Sequence, residues 1–353
     1  MGFLNQLRKS GGELAIDLGT ANTVVYVRGV GIALFEPSVI AVNDSTGAVV
    51  AVGEEARRMI GRTPATIRAE RPLRNGVIAD FEMTEEMLRH FLRRAMDRRL
   101  LHPRLVLCVP SGLTAVERDA IEEAARAAGA RAVYLIEEAL AAAIGAGLPV
   151  AEPEASLVVD VGGGTTEVAV ISLGSMVVWR SLRSGGFAMD DAIVSHLKRR
   201  YELKIGEGQA ERVKLEIGAA TPGSADGAME IGGRDQHGRM RRVTLSAEDV
   251  HQAIEGPVTD VVEAVADTLE QTPPELSADI VGRGIVLAGG GALLRGLPER
   301  LRAETGLPVH LVDEPLTCVA VGAGRCLDEL DVLAEATRPV RRGHSRPTHS
   351  LRH

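Results

Sequence analysis

One local pattern occurs twice in this chain: an apolar, β-rich run ending in Asp, a turn of small residues, and a second β-rich run. The first copy is ELAIDLGTANTVVYV, Glu13 to Val27, and the second is SLVVDVGGGTTEVAVIS, Ser156 to Ser172. Each opens one half of the sequence. A unit repeated once at half-chain distance marks a duplicated domain, not a short-period solenoid. Strand and helix signals alternate after each copy, which makes the unit α/β. At 353 residues the chain has the length for two such domains.

Composition removes several function classes. The chain is 45% hydrophobic and 25% charged, which suits a globular core and excludes wholesale disorder. Aromatics are 3% and the net charge is −8, which argues against a base-stacking platform and a general nucleic-acid binder, so no nucleic-acid partner is expected. Cys108, Cys318 and Cys326 form no CxxC pair, so neither a disulfide framework nor a zinc site is expected. No run of eighteen apolar residues is present, and MGFLNQLRKSGG lacks the apolar stretch of a secretory signal. GxxxxGK[ST] and HExxH are also absent.

The pattern between the repeats predicts further elements. A second hairpin is expected over Ile32 to Val52, turning at Asn43, Asp44 and Gly47, and a helix over Thr84 to Arg99. Leu105 to Val109 reads as a strand. Thr114 with Glu117 forms a capping box for a helix closed by Gly129, Ala132 to Ile136 reads as a strand, and Glu137 to Gly145 as an Ala-rich helix. Gly147 to Pro153 reads as the crossover between halves. In the second half a helix is expected over Gly208 to Ile217. Ser246 caps a long helix to about Gln271, interrupted at Pro257 and stopped by Pro273 and Pro274. Ile285 to Ala288 reads as a buried strand, followed by Gly289, Gly290 and Gly291 and a helix from about Ala292. Leu316 to Asp331 reads as a last small-residue helix, and the basic segment beyond Thr337 as a disordered tail.

These motifs point to polyphosphate chemistry. A turn of Gly and small residues exposes backbone N–H groups and lets a phosphate approach closely. A carboxylate at the strand end before each turn, Asp17 and Asp160, can hold Mg²⁺ through water. Either turn alone reads as well as an ordinary hairpin; two, each behind a buried strand ending in Asp, read as a clamp on one polyphosphate. Gly289 to Gly291 lead from a buried strand and offer flat backbone for a purine. Glu211 and Lys214 share a helix face: alone they read as an exposed ion pair, and beside the other motifs as contacts to ribose and base. The Ala- and Gly-rich helix from Glu137 suits a close crossing between lobes that hinge. One of its leading acids, Glu137 or Glu138, could orient a water.

DLGTANT, EEALAAAIGAGLP, VVDVGGGTTEVAVISL, LAGGGALLRGLP and EPLTCVAVGAG, in this order, resemble the nucleotide-binding blocks of the actin, chaperone and sugar-kinase superfamily, and more narrowly the MreB/Mbl-type bacterial actins. The resemblance runs from about Glu13 to about Leu333. It implies an α/β actin-like ATPase fold, with two duplicated ribonuclease-H-like lobes around a nucleotide cleft holding ATP and Mg²⁺. Lobe I is expected over 13–148, with a subdomain inserted at about 33–80 and a completing helix at about 316–335. Lobe II is expected over 149–315, with an insertion at about 187–255. Residues 1–12 are expected as an amphipathic segment and 338–353 as the basic tail. Carried over position by position, Thr20, Ala21 and Asn22 match the first phosphate loop and Gly162, Gly163, Gly164 and Thr165 the second. Glu211 and Lys214 match the ribose and adenine contacts, and Gly289, Gly290, Gly291, Ala292 and Leu293 the adenosine motif. Glu138 takes the place of the water-positioning acid and Thr165 that of its partner at the terminal phosphate. The family usually has Pro after that acid, where this chain has Ala139.

The resemblance further implies a weak ATPase whose hydrolysis accompanies polymerisation into double protofilaments. Such a protein is expected in the cytoplasm, peripheral at the inner face of the membrane. Its expected partners are itself and membrane-embedded elongation and wall-synthesis proteins of the MreC, MreD, RodA and RodZ type. Phe3, Leu4 and Leu7, followed by Arg8 and Lys9, form one candidate membrane contact. Leu100 and Leu101, behind Arg98 and Arg99, read equally as a membrane-inserting loop or as the cap of their own helix. A non-polymerising nucleotide-dependent adaptor or activase on the same fold is the alternative. A heat-shock chaperone would need a further substrate-binding domain, and a sugar kinase a sugar pocket and base that cannot be assigned.

Overall fold

The computed structural model describes residues 12–96 and 102–329. The candidate membrane residues Phe3, Leu4, Leu7, Leu100 and Leu101 and the basic tail lie outside the described residues.

The first half builds a five-stranded sheet from β1 (Glu13–Leu18), β2 (Asn22–Val27), β3 (Gly31–Pro37), β9 (Arg104–Val109) and β10 (Ala132–Glu137). Between β3 and β9 lie β4 (Ile40–Asn43), β5 (Val49–Val52), β6 (Ile67–Glu70), β7 (Leu73–Arg74) and β8 (Val77–Ile78). The second half builds another five-stranded sheet from β11 (Ser156–Val161), β12 (Thr166–Ser172), β13 (Ser175–Leu182), β16 (Ile285–Ala288) and β17 (Val309–Leu311), with the hairpin of β14 (Ala228–Arg234) and β15 (Met240–Ser246) inserted.

The two large sheets have one topology. Their strand orders are β10-β9-β1-β2-β3 and β13-β12-β11-β16-β17. In each, the first two connections are antiparallel hairpins and the remaining two pairings are parallel. The duplication legible in the Asp-tipped turns therefore extends to the whole sheet. Parallel pairing requires covered faces, and both β11 and β12 are buried along their full length.

Helix ends follow the side chains that cap them. Asp80 accepts from the Met83 N–H and opens the helix Phe81–Ala95, a turn earlier than the apolar spacing from Thr84 suggested. Thr114 with Glu117, and Ser246 with Asp249, form complete capping boxes. The helix behind Ser246 runs unbroken over Ala247–Glu270 with Pro257 inside it, against the expected interruption. Proline costs that helix about 3 kcal/mol. Val250, Ile254, Val258, Val261 and Val265 are all buried along one stripe, each worth about 1.5–3 kcal/mol, so burial wins.

Three other expectations change. The hairpin turning at Asn43 to Gly47 is β4–β5 alone, because β3 pairs with β2. Ala292 does not open an α-helix: Gly290–Leu293 form one 3-10 turn, and the α-helix is Leu297–Thr305, after Gly296. The last small-residue helix is Cys318–Cys326, continued by the 3-10 turn Leu327–Glu329. The helix Gly186–Tyr201, β13 and the β14–β15 hairpin carried no periodic signal that sequence reading picked up.

The chain crosses between the lobes through two helices. Glu138–Gly145 follows β10 yet packs on β11 and β12, while Cys318–Cys326 follows β17 yet packs on β1 and β9. The helices cross with backbone against backbone. A Cβ on Gly322 would run into the Ala141 carbonyl, and one on Gly145 into the Cys318 carbonyl. The Cys318 Sγ donates to the Ala142 carbonyl over 3.3 Å.

Candidate functional site

The two Asp-tipped turns face each other across one cleft. Asp17 pairs with Val24 across its hairpin, and Asp160 with Glu167 across the equivalent one. Between the two Asp-tipped turns the fit is tight. A Cβ on Gly163 would stand 2.6 Å from the Ala21 Cβ, and one on Gly164 2.6 Å from Thr20 Oγ1. The second turn must be glycine because the first turn's side chains occupy that space. The first turn is held from behind by Ser38, whose hydroxyl donates to the Gly19 carbonyl over 2.6 Å and whose N–H donates to the Ala21 carbonyl over 3.0 Å. The second turn is held by the start of the helix Gly186–Tyr201: the Gly186 N–H donates to Gly162 O over 3.0 Å and the Phe187 N–H to Gly163 O over 2.8 Å.

The cleft holds about 370 Å³, within the range of small-molecule pockets. Asp17, Thr20, Ala21, Asn22, Gly162, Gly163, Gly164 and Thr165 line it, with Glu138 and Asp160. Glu211, Lys214, Gly289, Gly290, Gly291 and Leu293 line it as well. Ala292 is buried behind the Gly289–Gly291 wall and does not line it. Gly289 has φ 84°, and a Cβ there would strike Asp160 Oδ1 and the Val161 carbonyl. The loop of three glycines thus lies directly against the second Asp. Only a 3-10 turn follows it, so the expected α-helix N-terminus is not at this wall.

Acids converge on the floor. Burial raises Asp17 from the ordinary 3.8 to about 7. It raises Asp160 to about 8, with the charges of Asp17 and Glu167 adding to the burial. Glu138 is pushed well above the ordinary range by burial and then by Asp17, Glu167 and Asp160. Among the described residues none of these three carboxylates forms an ion pair with a Lys or Arg. Among the described residues no three His, Cys, Asp or Glu side chains stand close enough to grip an ion directly. Opposed carboxylates on a glycine-rich floor suit Mg²⁺, which keeps much of its water.

The two acids that lead the crossover helix have different surroundings. Glu137 pairs with Arg118 at 3.1 Å, while Glu138 is buried at the cleft. Lys214 lines the cleft and has buried partners of its own. Its Nζ stands 2.9 Å from Asp190 and donates to the Gly186 carbonyl over 2.8 Å, so it braces the helix that supports the second turn. Burial pushes Asp190 up to about 6, with the Lys214 charge opposing. Glu211 keeps its place at the cleft, 3.7 Å from Arg57 Nη1 of the other lobe.

Sequence reading missed Glu167, Asp190, Arg71 and Leu316. Glu167 is buried and accepts from the Ser111 N–H at 3.1 Å and the Ser181 hydroxyl at 2.5 Å, joining the lobes below the turns. An acid in an otherwise apolar, fully buried strand was the available signal. Asp190 had no such signal, since its partner lies on another helix.

Two topologically identical α/β lobes, joined by crossing helices and closing Asp-tipped turns over one cleft, define the actin-like fold. The family model described as MreB/Mbl protein matches residues 11–335, and the chain belongs to that family. It is 52% identical over 327 residues to the cell shape-determining protein MreB of Escherichia coli (strain K12), covering 91% of this chain and 94% of that protein. It is 47% identical over 323 residues to the cell shape-determining protein Mbl of Bacillus subtilis (strain 168), covering 91% and 97%. Among solved structures, MreB5 of Spiroplasma citri bound to ADP superposes with a TM-score of 0.86 at 36% identity, over 92% of this chain and 98% of that one. The chain of the MamK double helical filament superposes at 0.75 with 24% identity, over 90% and 99%, and bears on the fold alone.

Proposed function

We propose that this chain is a filament-forming bacterial actin that binds and slowly hydrolyses ATP, assembles on the inner membrane face and organises cell-wall synthesis and cell shape. The observation that carries the nucleotide part is the clamp: two turns of duplicated origin in contact through Thr20 and Ala21 on one side and Gly163 and Gly164 on the other, with Asp17 and Asp160 beneath. The related MreB5 structures bound to ADP and AMPPNP support it. The MreB and Mbl relatives are named as cell shape-determining proteins, and polymerisation and membrane assembly are carried over here from the family resemblance.

In this reading the turn N–H groups and the Thr20 and Thr165 hydroxyls bind the phosphates. Asp17 and Asp160 would hold Mg²⁺ through water, and the ion when bound neutralises phosphate charge. Glu211 accepts from the ribose, and Gly289 to Gly291 lie along the base. Glu138, at the start of its helix, accepts a hydrogen bond from the attacking water and orients it. Among the described residues no helix is long and apolar enough to cross a membrane.

Pelleting with ATP against ADP, followed by negative-stain microscopy, tests the assignment. Ordered double protofilaments are expected with ATP, and a monomer under all conditions would favour the adaptor reading. Glu138→Ala should leave ATP binding within about threefold and slow phosphate release by about 100-fold. Unchanged hydrolysis in that variant would remove Glu138 from the mechanism.

A further inference from the structure

The lobes are tied at two levels of different character. Deep in the molecule the ties are backbone and buried: the Gly145 and Gly322 crossing, and the Ser111 N–H on Glu167. At the mouth they are side chains. Arg71 Nη1 lies 2.5 Å from Glu207, and Arg57 Nη1 lies 3.7 Å from Glu211. Both arginines come from the insertion of the first half and both acids from the helix Glu207–Ile217 of the second. No common core backs these pairs. Val39, Ala41, Ala51 and Ala56 form a small cluster of their own, separate from the core of the second lobe.

We propose that Arg71 is a positioning residue that latches the cleft, joining the first-lobe insertion to the second phosphate turn and setting how fast nucleotide enters and leaves. The proposal rests on the nucleotide reading above. The Arg71 guanidinium lies 4.5 Å from the centroid of the Phe187 ring, a stacking that a flat guanidinium makes and an ammonium does not. Phe187 donates its N–H to the Gly163 carbonyl over 2.8 Å, and its ring edge Cε2 stands 3.4 Å from where a Gly163 Cβ would be. One arginine thus touches the residue that holds the phosphate turn, while its Nη1 engages Glu207 on a different helix. The segment after it continues over the cleft. Asn75 sits at φ 49° with its Cα against Gly164, and the Gly76 N–H donates to Thr20 Oγ1 over 3.0 Å.

Opening at the crossing would separate tightly packed backbone. Opening at the mouth breaks two ion pairs and one cation–π contact, parts Asn75 from Gly164, and among the described residues exposes no shared core. The mouth is therefore where the cleft opens, and Arg71 carries two of these three side-chain ties. The acids of the two pairs are similarly exposed, Glu207 at 41% and Glu211 at 34%, but Arg71 is 15% exposed against 46% for Arg57 and is closer to its acid, so solvent screens the Arg57 pair more.

The test is stopped-flow binding and chase of a fluorescent ADP with Mg²⁺ on the full-length chain. A broken gate speeds entry and exit together, whereas a lost ligand contact speeds exit alone. Arg71→Ala should raise both rate constants by about five- to tenfold and change Kd by less than about threefold. Arg71→Lys should recover part of the effect, keeping charge for Glu207 but not the flat face over Phe187. Glu207→Gln, a surface change that should not disturb folding, should raise both rates by about threefold. Added salt should speed the wild-type protein more than Arg71→Ala. Unchanged rates, or a faster exit alone, in variants with wild-type melting temperature would overturn the latch while leaving the nucleotide reading standing. A wild-type protein that binds no nucleotide would overturn both.

Discussion

The two Asp-tipped turns occupy equivalent places in two sheets of one topology and differ in what they carry. The first keeps side chains, Thr20, Ala21 and Asn22, and is braced by a hydroxyl, Ser38. The second has shed them for Gly162, Gly163 and Gly164 and is braced by the backbone of Gly186 and Phe187. The contacts explain why. Two turns bearing side chains could not meet, since each missing Cβ of Gly163 and Gly164 would sit 2.6 Å from an atom of the first turn. The strands behind differ too. Asp17 faces Val24, while Asp160 faces Glu167, and Asp160 is raised further, to about 8 against about 7. The two halves of the floor thus differ in kind: one turn carries side-chain donors, while the other carries closeness and stands on two buried acids, Asp160 and Glu167.

The largest effect should come from filling the second turn. Gly164→Val should lower nucleotide affinity by at least about 100-fold, while Ala21→Gly on the first turn should cost about threefold. Titration calorimetry giving equal losses would break the asymmetry.

Removing the floor charges comes next. Asp160→Asn and Asp17→Asn should each weaken Mg²⁺-dependent binding by about tenfold or more. Each should also raise the melting temperature of the nucleotide-free protein above pH 8, because a buried charge is lost. Asp160 should show the larger rise, and a fall for both would remove the uncompensated-charge argument.

The pH dependence follows from the same shifts. Asp17 and Asp160 have folded values, about 7 and about 8, above the ordinary 3.8. The folded state then holds more protons than the unfolded one, so this contribution to stability is fullest below about pH 4 and is lost as pH rises through about 8. Melting curves of the nucleotide-free protein should fall between pH 6 and 8.5 by a few degrees. Magnesium nucleotide should flatten that fall and bind more tightly as pH rises. A flat curve without nucleotide would mean the acids are not titrating there.

The smallest expected effect sharpens the bracing. Ser38→Ala removes the donor to Gly19 O and the Thr23 partner at 2.8 Å, and should cost about 1–2 kcal/mol in denaturant unfolding. An equal loss of nucleotide affinity would show that bracing, not only closeness, shapes the first turn.

Much of this was legible in sequence for a local reason. Asp17 and Asp160 each sit at a fixed offset from a glycine turn after an apolar run, and Thr114 with Glu117 announces its helix directly. Ala139, Ala141, Ala142, Ala143 and Gly145, small residues within one short helix, gave the close crossing. The differences have physical causes as well. Pro257 sits inside a helix whose buried valines outweigh it. After Gly289 to Gly291, where a helix from about Ala292 is expected, tight packing against Val161 leaves room for a single 3-10 turn.

The sequence by itself determined the duplication, the α/β character, the paired Asp-tipped turns and the acid-bearing crossover helix, because each is written in residues a few positions apart. Only the tertiary structure decided that the turns touch, that Glu138 and not Glu137 enters the cleft, that Glu167 joins the floor acids, and that Arg71 reaches Phe187 and Glu207. Those facts depend on distances between segments remote in the chain, set by how two sheets and two crossing helices pack, and no local spacing encodes them.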